Sequence, residues 1–211
     1  MAPLLAAVLA VAFSGLLVIV QLALLLGLFG TVTAVVDRSG ADLWVGEATV
    51  QSFDLARDIP ERAEFHVRSQ PGVARVERLL LGYADWRTPD GRRVTVTLVG
   101  LNVDEGSLAF PRTLPDSLRR ALLRSGGVLV ERADLGKLGL SGNGAGDAEI
   151  NGRRVSVAGI ATGFRSVGGA TIFAAEETFR SLTGSTDGGT SYLLVRLADG
   201  SDRGTVQARL D

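Results

Sequence analysis

The sequence predicts a transmembrane helix followed by an α+β domain with a mixed or antiparallel sheet and short helices. Three observations carry this. Residues 1–36 contain no charged side chain, and all 45 Lys, Arg, Asp and Glu fall in residues 37–211. Strand-like segments closed by turn dipeptides recur through the second part. Between them lie brief helical segments, several opening on Pro or Asp. Strands joined by hairpins and short helices make α+β the expected class. The division falls near residue 38, with a signal-anchor helix over 1–38 and a domain over 39–211.

The leader is the stronger signal. From Leu4 to Val36 a helix rising about 1.5 Å per residue would extend about 50 Å, beyond a hydrocarbon core of about 30 Å. Pro3 stands where a helix start tolerates it. Only Ser14, Gln21 and a few threonines interrupt the apolar run. A cleaved signal would need a basic start and a shorter apolar stretch. Val32-Thr33-Ala34 could serve as a cut, but the length and the missing cations favour a retained anchor. Arg38 and Arg57 are the basic residues within about twenty positions after the helix, and such a sparse count permits an outward domain.

Further elements follow in order. Gly40 is expected to end the helix as a C-terminal glycine, and Ala41–Val45 reads as a strand. Residues 51–58 form a polar loop, and Pro60 opens a helix to Ser69. Val73–Arg87 and Arg93–Leu101 form a long hairpin around Thr88-Pro89-Asp90-Gly91. After a loop over 102–115, Asp116–Ser125 is a helix with Leu118, Ala121 and Leu122 inward. Gly127–Glu131 is a buried strand leading into a helix at Ala133–Leu138. Glu149–Val155 is a second hairpin, with Asn151-Gly152 supplying positive φ. Ile172-Phe173 is a strand, Glu176–Leu182 a helix, Ser191–Leu197 a strand, and Asp202 begins a helix running to Asp211.

The composition excludes several functions. A net charge of −1 lacks the basic excess of a nucleic-acid binder. With no cysteine there is no disulfide, thiol nucleophile or thiolate metal site. A phosphate-binding P-loop needs Gly-Lys-Ser/Thr, whereas Lys137, the one lysine, is followed by Leu138, and Glu131 stands where the first glycine belongs. Gly142-Asn143-Gly144-Ala145-Gly146 precedes Asp147 and a hairpin, so no helix N-terminus is there to hold a pyrophosphate. Gly139-Leu140-Ser141-Gly142-Asn143 fails as a nucleophile elbow at its last position. His66 is the sole histidine, and its place on the Pro60–Ser69 helix suits a surface side chain. Asn102–Gly106 is a poor calcium loop because its glycine comes at the fifth place. Asp147 and Glu149 share a strand face as surface charges, and Trp44 and Trp86 suit sheet packing. No catalytic, cofactor-binding or metal-binding residue is assigned, no cofactor is expected, and the chain is expected not to be an enzyme.

Against this background, several segments resemble one family in order and spacing. They are Gln21-Leu22 late in the helix, Ser39-Gly40-Ala41-Asp42-Leu43-Trp44-Val45 after it, and Pro71-Gly72-Val73-Ala74-Arg75-Val76-Glu77. Asp90-Gly91 to Val99-Gly100, Val128–Glu131 with Leu135–Gly139, Glu149–Val155 and Gly163-Phe164-Arg165-Ser166 follow. The arrangement resembles the periplasmic core domain of MacB-like and DevC-like ABC transporter permeases, in the FtsX-type superfamily. The resemblance implies a permease subunit of an exporter, moved by a separate ATP-binding subunit. It also implies a second permease copy, a periplasmic adaptor, contact with membrane lipid and three later membrane helices. Against that pattern the chain is expected to be a fragment, incomplete at its C-terminus. It is expected to sit in the inner or plasma membrane with residues 41–211 outside. The rival reading is a membrane-anchored extracytoplasmic binding module independent of a transporter.

Overall fold

A computed structural model describes residues 2–210, apart from 33, 51, 143, 145, 167, 168, 186 and 187. The leader forms helix α1 (Ala2–Val32), and a short α2 (Ala34–Asp37) precedes the sheet. Within α1, Ala7–Leu25 is long and apolar enough to cross a membrane, and none of it is buried against the rest of the chain. That is the exposure expected of side chains whose solvent is lipid. The expected run of helix to Arg38 and the Val32-Thr33-Ala34 cut both cross Thr33, which lies outside the described residues.

Among the described residues, eight strands form one sheet in the order β1-β8-β2-β3-β7-β4-β6-β5. They are β1 (Leu43–Val45), β2 (Val73–Arg87), β3 (Arg93–Leu101), β4 (Gly127–Glu131), β5 (Asp147–Ile150), β6 (Arg153–Ala161), β7 (Ala170–Ala175) and β8 (Tyr192–Leu197). The sheet is mixed, because β3–β7 and β4–β6 run parallel while the other pairs are antiparallel.

Strand β2 decides the topology. Its first half pairs with β8 from Val73↔Leu197 to Leu79↔Tyr192, and its second half pairs with β3 from Leu79↔Leu101 to Arg87↔Arg93. At its far end Trp86 and Arg87 pair with Ile150 and Glu149 of β5. The last strand of the sheet thus returns to β2, and β2-β3-β7-β4-β6-β5 closes into a ring that covers the β5 end of the sheet, while β8 and β1 extend from β2 outside it.

Side chains alternate across such a ring. Leu80 and Trp86 of β2, Leu98 of β3, Val130 of β4, Ile150 of β5 and Ile172 of β7 meet inside it. Helix α5 (Glu176–Thr183) contributes Phe179 and Leu182 to the same cluster. Gly100 is glycine because of that helix, since a Cβ there would lie 2.6 Å from the Phe179 side chain. On the other face, Leu79, Val99, Leu129 and Phe173 form a second core with Ala34, Val35, Leu108 and Phe164. A third cluster joins Leu43, Val76 and Val195 to Val67 of α3 (Glu61–Arg68) and Val206 of α6 (Arg203–Leu210). The remaining helix, α4 (Asp116–Leu122), buries Leu122, with Leu118 and Ala121 half-buried.

Several elements differ from expectation. Strand β6 continues to Ala161 because its parallel pairing with β4 extends to Glu131↔Ala161. Strand β7 spans six residues because it is held by β3 and β4 at once. The expected helix at Ala133–Leu138 is a 3-10 turn, Arg132–Asp134, followed by tight turns. The polar loop over 51–58 includes a 3-10 turn, Phe53–Leu55. Gly40 is absent from the positive-φ residues and so is no left-handed helix cap. The Asn151-Gly152 turn does take positive φ at both positions, 49° and 78°.

Candidate functional site

The place where the apolar helix enters the sheet is braced by several independent contacts. Ala34 and Val35 of α2 are buried, at 5% and 8% exposure, in the core beneath the sheet's outer face. Arg38 follows. Its guanidinium lies 4.7 Å from the Phe164 ring centroid and donates to the carbonyls of Thr162 (3.2 Å) and Gly163 (2.8 Å). Such a cation held over a ring and bonded to carbonyls combines cation–π and charge-assisted contacts. Gly163 has φ 91° and presents its backbone closely to the Arg38 guanidinium, so a side chain there would be strained and crowded.

Beyond Arg38 the chain is fastened at each residue. The Arg38 carbonyl accepts from the Arg112 N–H at 2.9 Å, and Ser39 Oγ accepts from Trp44 Nε1 at 3.2 Å. The Gly40 N–H donates to Leu108 O at 2.7 Å, and its carbonyl accepts from the guanidinium groups of Arg112 and Arg196. A Cβ on Gly40 would lie 3.2 Å from the Leu108 Cα, so close approach explains this glycine. Asp42 then receives the Leu197 N–H at 2.8 Å as β1 joins β8.

Two buried carboxylates brace the loops that receive this segment. Glu77 Oε2 accepts from the Leu108 N–H (2.8 Å), the Ala109 N–H (3.2 Å) and Ser107 Oγ (3.0 Å), while Oε1 pairs with Arg75 at 2.5 Å. Glu131 accepts from the Gly163 N–H (3.1 Å) and the Phe164 N–H (2.9 Å). A carboxylate saturated by backbone donors holds loops in place, and removing it would leave buried N–H groups without partners. The chain after the helix thus sits on two loops, each pinned from a different strand.

Replacing Arg38 with alanine should lower the stability of the folded chain by about 1–3 kcal/mol, the scale of a charged hydrogen bond. Thermal unfolding of the variant measures it, and an unchanged midpoint would show that the contact bears no load.

Four segments that carried the sequence resemblance converge here: Ser39-Gly40, Glu77, Glu131 and Gly163-Phe164. Their bracing role was hidden, because Glu131 meets partners 32 and 33 positions away and Glu77 meets partners 31 and 32 away. A charged residue closing an apolar strand, as in Val128-Leu129-Val130-Glu131, was the one available signal.

The other singled-out residues lie apart from this junction or support it. Lys137 forms an ion pair with Asp134 at 2.9 Å. His66 is exposed on α3, with its Nε2 3.2 Å from the Gln70 amide nitrogen. Trp86 is fully buried and donates to Leu138 O at 3.1 Å. Trp44 is half-buried against Phe53 and Tyr192, at ring-centroid distances of 6.1 and 5.6 Å. Burial, then the Asp54 carboxylate, holds the Tyr192 hydroxyl above its ordinary pKa. Asn102 Oδ1 accepts the Asp104 N–H at 2.7 Å, which closes a turn. Asp147 is exposed and Glu149 lies 3.7 Å from Arg87. In the Gly139–Asn143 and Gly142–Gly146 stretches, residues 143 and 145 lie outside the described residues. Ser141 O there accepts the Gly144 N–H at 2.8 Å. Among the described residues no group of three or more His, Asp or Glu could hold a metal ion.

No protein-family model matches the sequence, and no curated protein matches it. Solved structures do. The extracellular domain of the noncanonic ABC-type transporter YknZ from Gram-positive bacteria aligns at 15% identity and a TM-score of 0.46, over 72% of this chain and 78% of its own. The periplasmic region of MacB from Actinobacillus actinomycetemcomitans aligns at 10% identity and a TM-score of 0.51, over 83% of each chain. At such identities the likeness is one of architecture, and the chain shares the fold of the MacB periplasmic region.

Proposed function

We propose that this chain acts as part of a permease subunit of an ABC-type exporter, passing motion from a cytoplasmic ATP-binding partner to a domain outside the membrane. The junction carries this reading. A lone anchor needs only a tether, yet here Ala34 and Val35 are buried in the domain core and Arg38 and Gly40 are bonded to three separate loops or strands. The MacB-type fold behind the apolar helix supports it. In this reading residues 41–211 face outward, the helix lies in the inner or plasma membrane in contact with lipid, and the subunit pairs with a second copy. A periplasmic adaptor meets the outer domain. The chain itself is not an enzyme, since ATP is hydrolysed by the partner, and it does not bind nucleic acid.

The test is co-expression of the chain with the ATP-binding protein encoded alongside it, followed by purification from membranes. The two should co-purify, and a reporter active only outside the cytoplasm should be active when fused after Asp211. A chain with no such neighbouring gene, or one that stays alone in the membrane, would instead be an independent anchored binding module.

A further inference from the structure

Beneath the junction lies a small cavity of about 20 Å³, lined by Val35, Phe53, Asp54, Thr97, Phe164, Ser166 and Thr171 among others. Its floor is polar where apolar packing would be expected. Thr97 of β3 and Thr171 of β7 are direct partners in the parallel ladder, each is only 2% exposed, and neither hydroxyl has a hydrogen-bond partner in the protein. Burying a hydroxyl with nothing to bond costs free energy, and two side by side on one sheet face call for an explanation. The rim is polar as well, because the Ser166 hydroxyl donates to Asp54 Oδ1 at 3.2 Å. A cavity needs about 10–15 Å³ to hold one water, and such a water needs two to four polar partners. Size and partners both fit a single molecule.

We propose that this cavity is a resident water site, in which one water bonds Thr97 and Thr171 on the sheet and reaches the Asp54–Ser166 pair above. The water ties the β3–β7 ladder to the Phe53–Leu55 turn and the segment after Phe164, which already meet through the Asp54–Ser166 hydrogen bond. Val35 forms part of the wall, so the residue that seats the helix also closes the site. A resident cation fits less well. Asp54 is the only carboxylate among the lining residues, and three hydroxyls complete an oxygen set smaller than the six to eight that calcium takes.

Valine matches threonine in shape and removes only the hydroxyl, so the sign of the stability change is diagnostic. The full-length chain in detergent, as Thr97→Val, Thr171→Val and the double variant, is to be compared by thermal unfolding. With a bridging water, each single change strips a partner from the water and lowers the midpoint, by about 2–4 °C for a chain of this size if 1 kcal/mol is lost. The double variant expels the water and loses less than the sum of the two. Thr97→Ser and Thr171→Ser keep the oxygen and should keep that coupling, which separates the water from packing defects if a valine variant folds poorly. A raised midpoint in either valine variant would mean a dry cavity with strained hydroxyls, and would overturn the proposal. Additive losses, or a wild-type midpoint that depends on sodium, potassium or calcium at constant ionic strength, would overturn it too.

Discussion

If the chain is the proposed permease subunit, four Gly/Ser residues inserted after Val32 should reduce export to background in cells that make the whole transporter, while the domain still folds and the partner still hydrolyses ATP. The 31-residue α1 spans about 46 Å as a helix, and a helix passes on a push or a tilt. A Gly/Ser segment is a flexible coil that absorbs both. The insertion must precede Ala34, because Ala34 and Val35 are buried in the domain core. An insert placed after Ala34 would pull one of these residues from its seat and confuse folding with coupling. The measurements are export of the transporter's own substrate, the unfolding midpoint of the variant and ATP turnover in membranes. Export at the wild-type rate by a folded insertion variant would reduce the helix to an anchor.

Trp86→Ala should be the most damaging single substitution in the domain, costing about 3–5 kcal/mol, the range for truncating a buried aromatic side chain. Trp86 is 0% exposed inside the closed ring and sits where β2 meets β5, opposite Ile150. Its indole also donates to the Leu138 carbonyl at 3.1 Å, so truncation leaves both a cavity and an unpaired acceptor. Thermal unfolding should show a midpoint lower by roughly 10 °C, at about 2–4 °C per kcal/mol. Trp86→Phe should recover much of the packing but not the bond. A loss in Trp86→Ala below about 1 kcal/mol would mean that the ring closes without this side chain.

The elements legible in the sequence are those specified by neighbours along the chain. The β2–β3 hairpin follows from Thr88-Pro89-Asp90-Gly91, where Gly91 has φ 85° and its N–H bonds Thr88 O at 2.8 Å. The β5–β6 hairpin follows from Asn151-Gly152, and the apolar helix from the absence of any charge before Asp37. The elements that differ depend on distant partners. Ile172-Phe173 alone carries a strand signal there, since Gly169 and the flanking alanines carry little, yet β3 pairs with all six residues of β7 and β4 with three of them.

Gly40 shows the same division at one residue. Its position after a helix suggests a left-handed cap, but its φ is not positive, and the Leu108 backbone and two arginines crowd the place a side chain would take. Glu77 and Glu131 read as ordinary strand charges until the fold brings backbone N–H groups to them from 31 or more positions away. The sequence by itself therefore determined the long apolar helix, the hairpins and the α+β class, because hydropathy and turn chemistry act over a few residues. Only the tertiary structure decided the closing of β5 onto β2, the two carboxylate braces and the seating of the helix end, because each is a contact whose partners are adjacent in space and far apart in the chain.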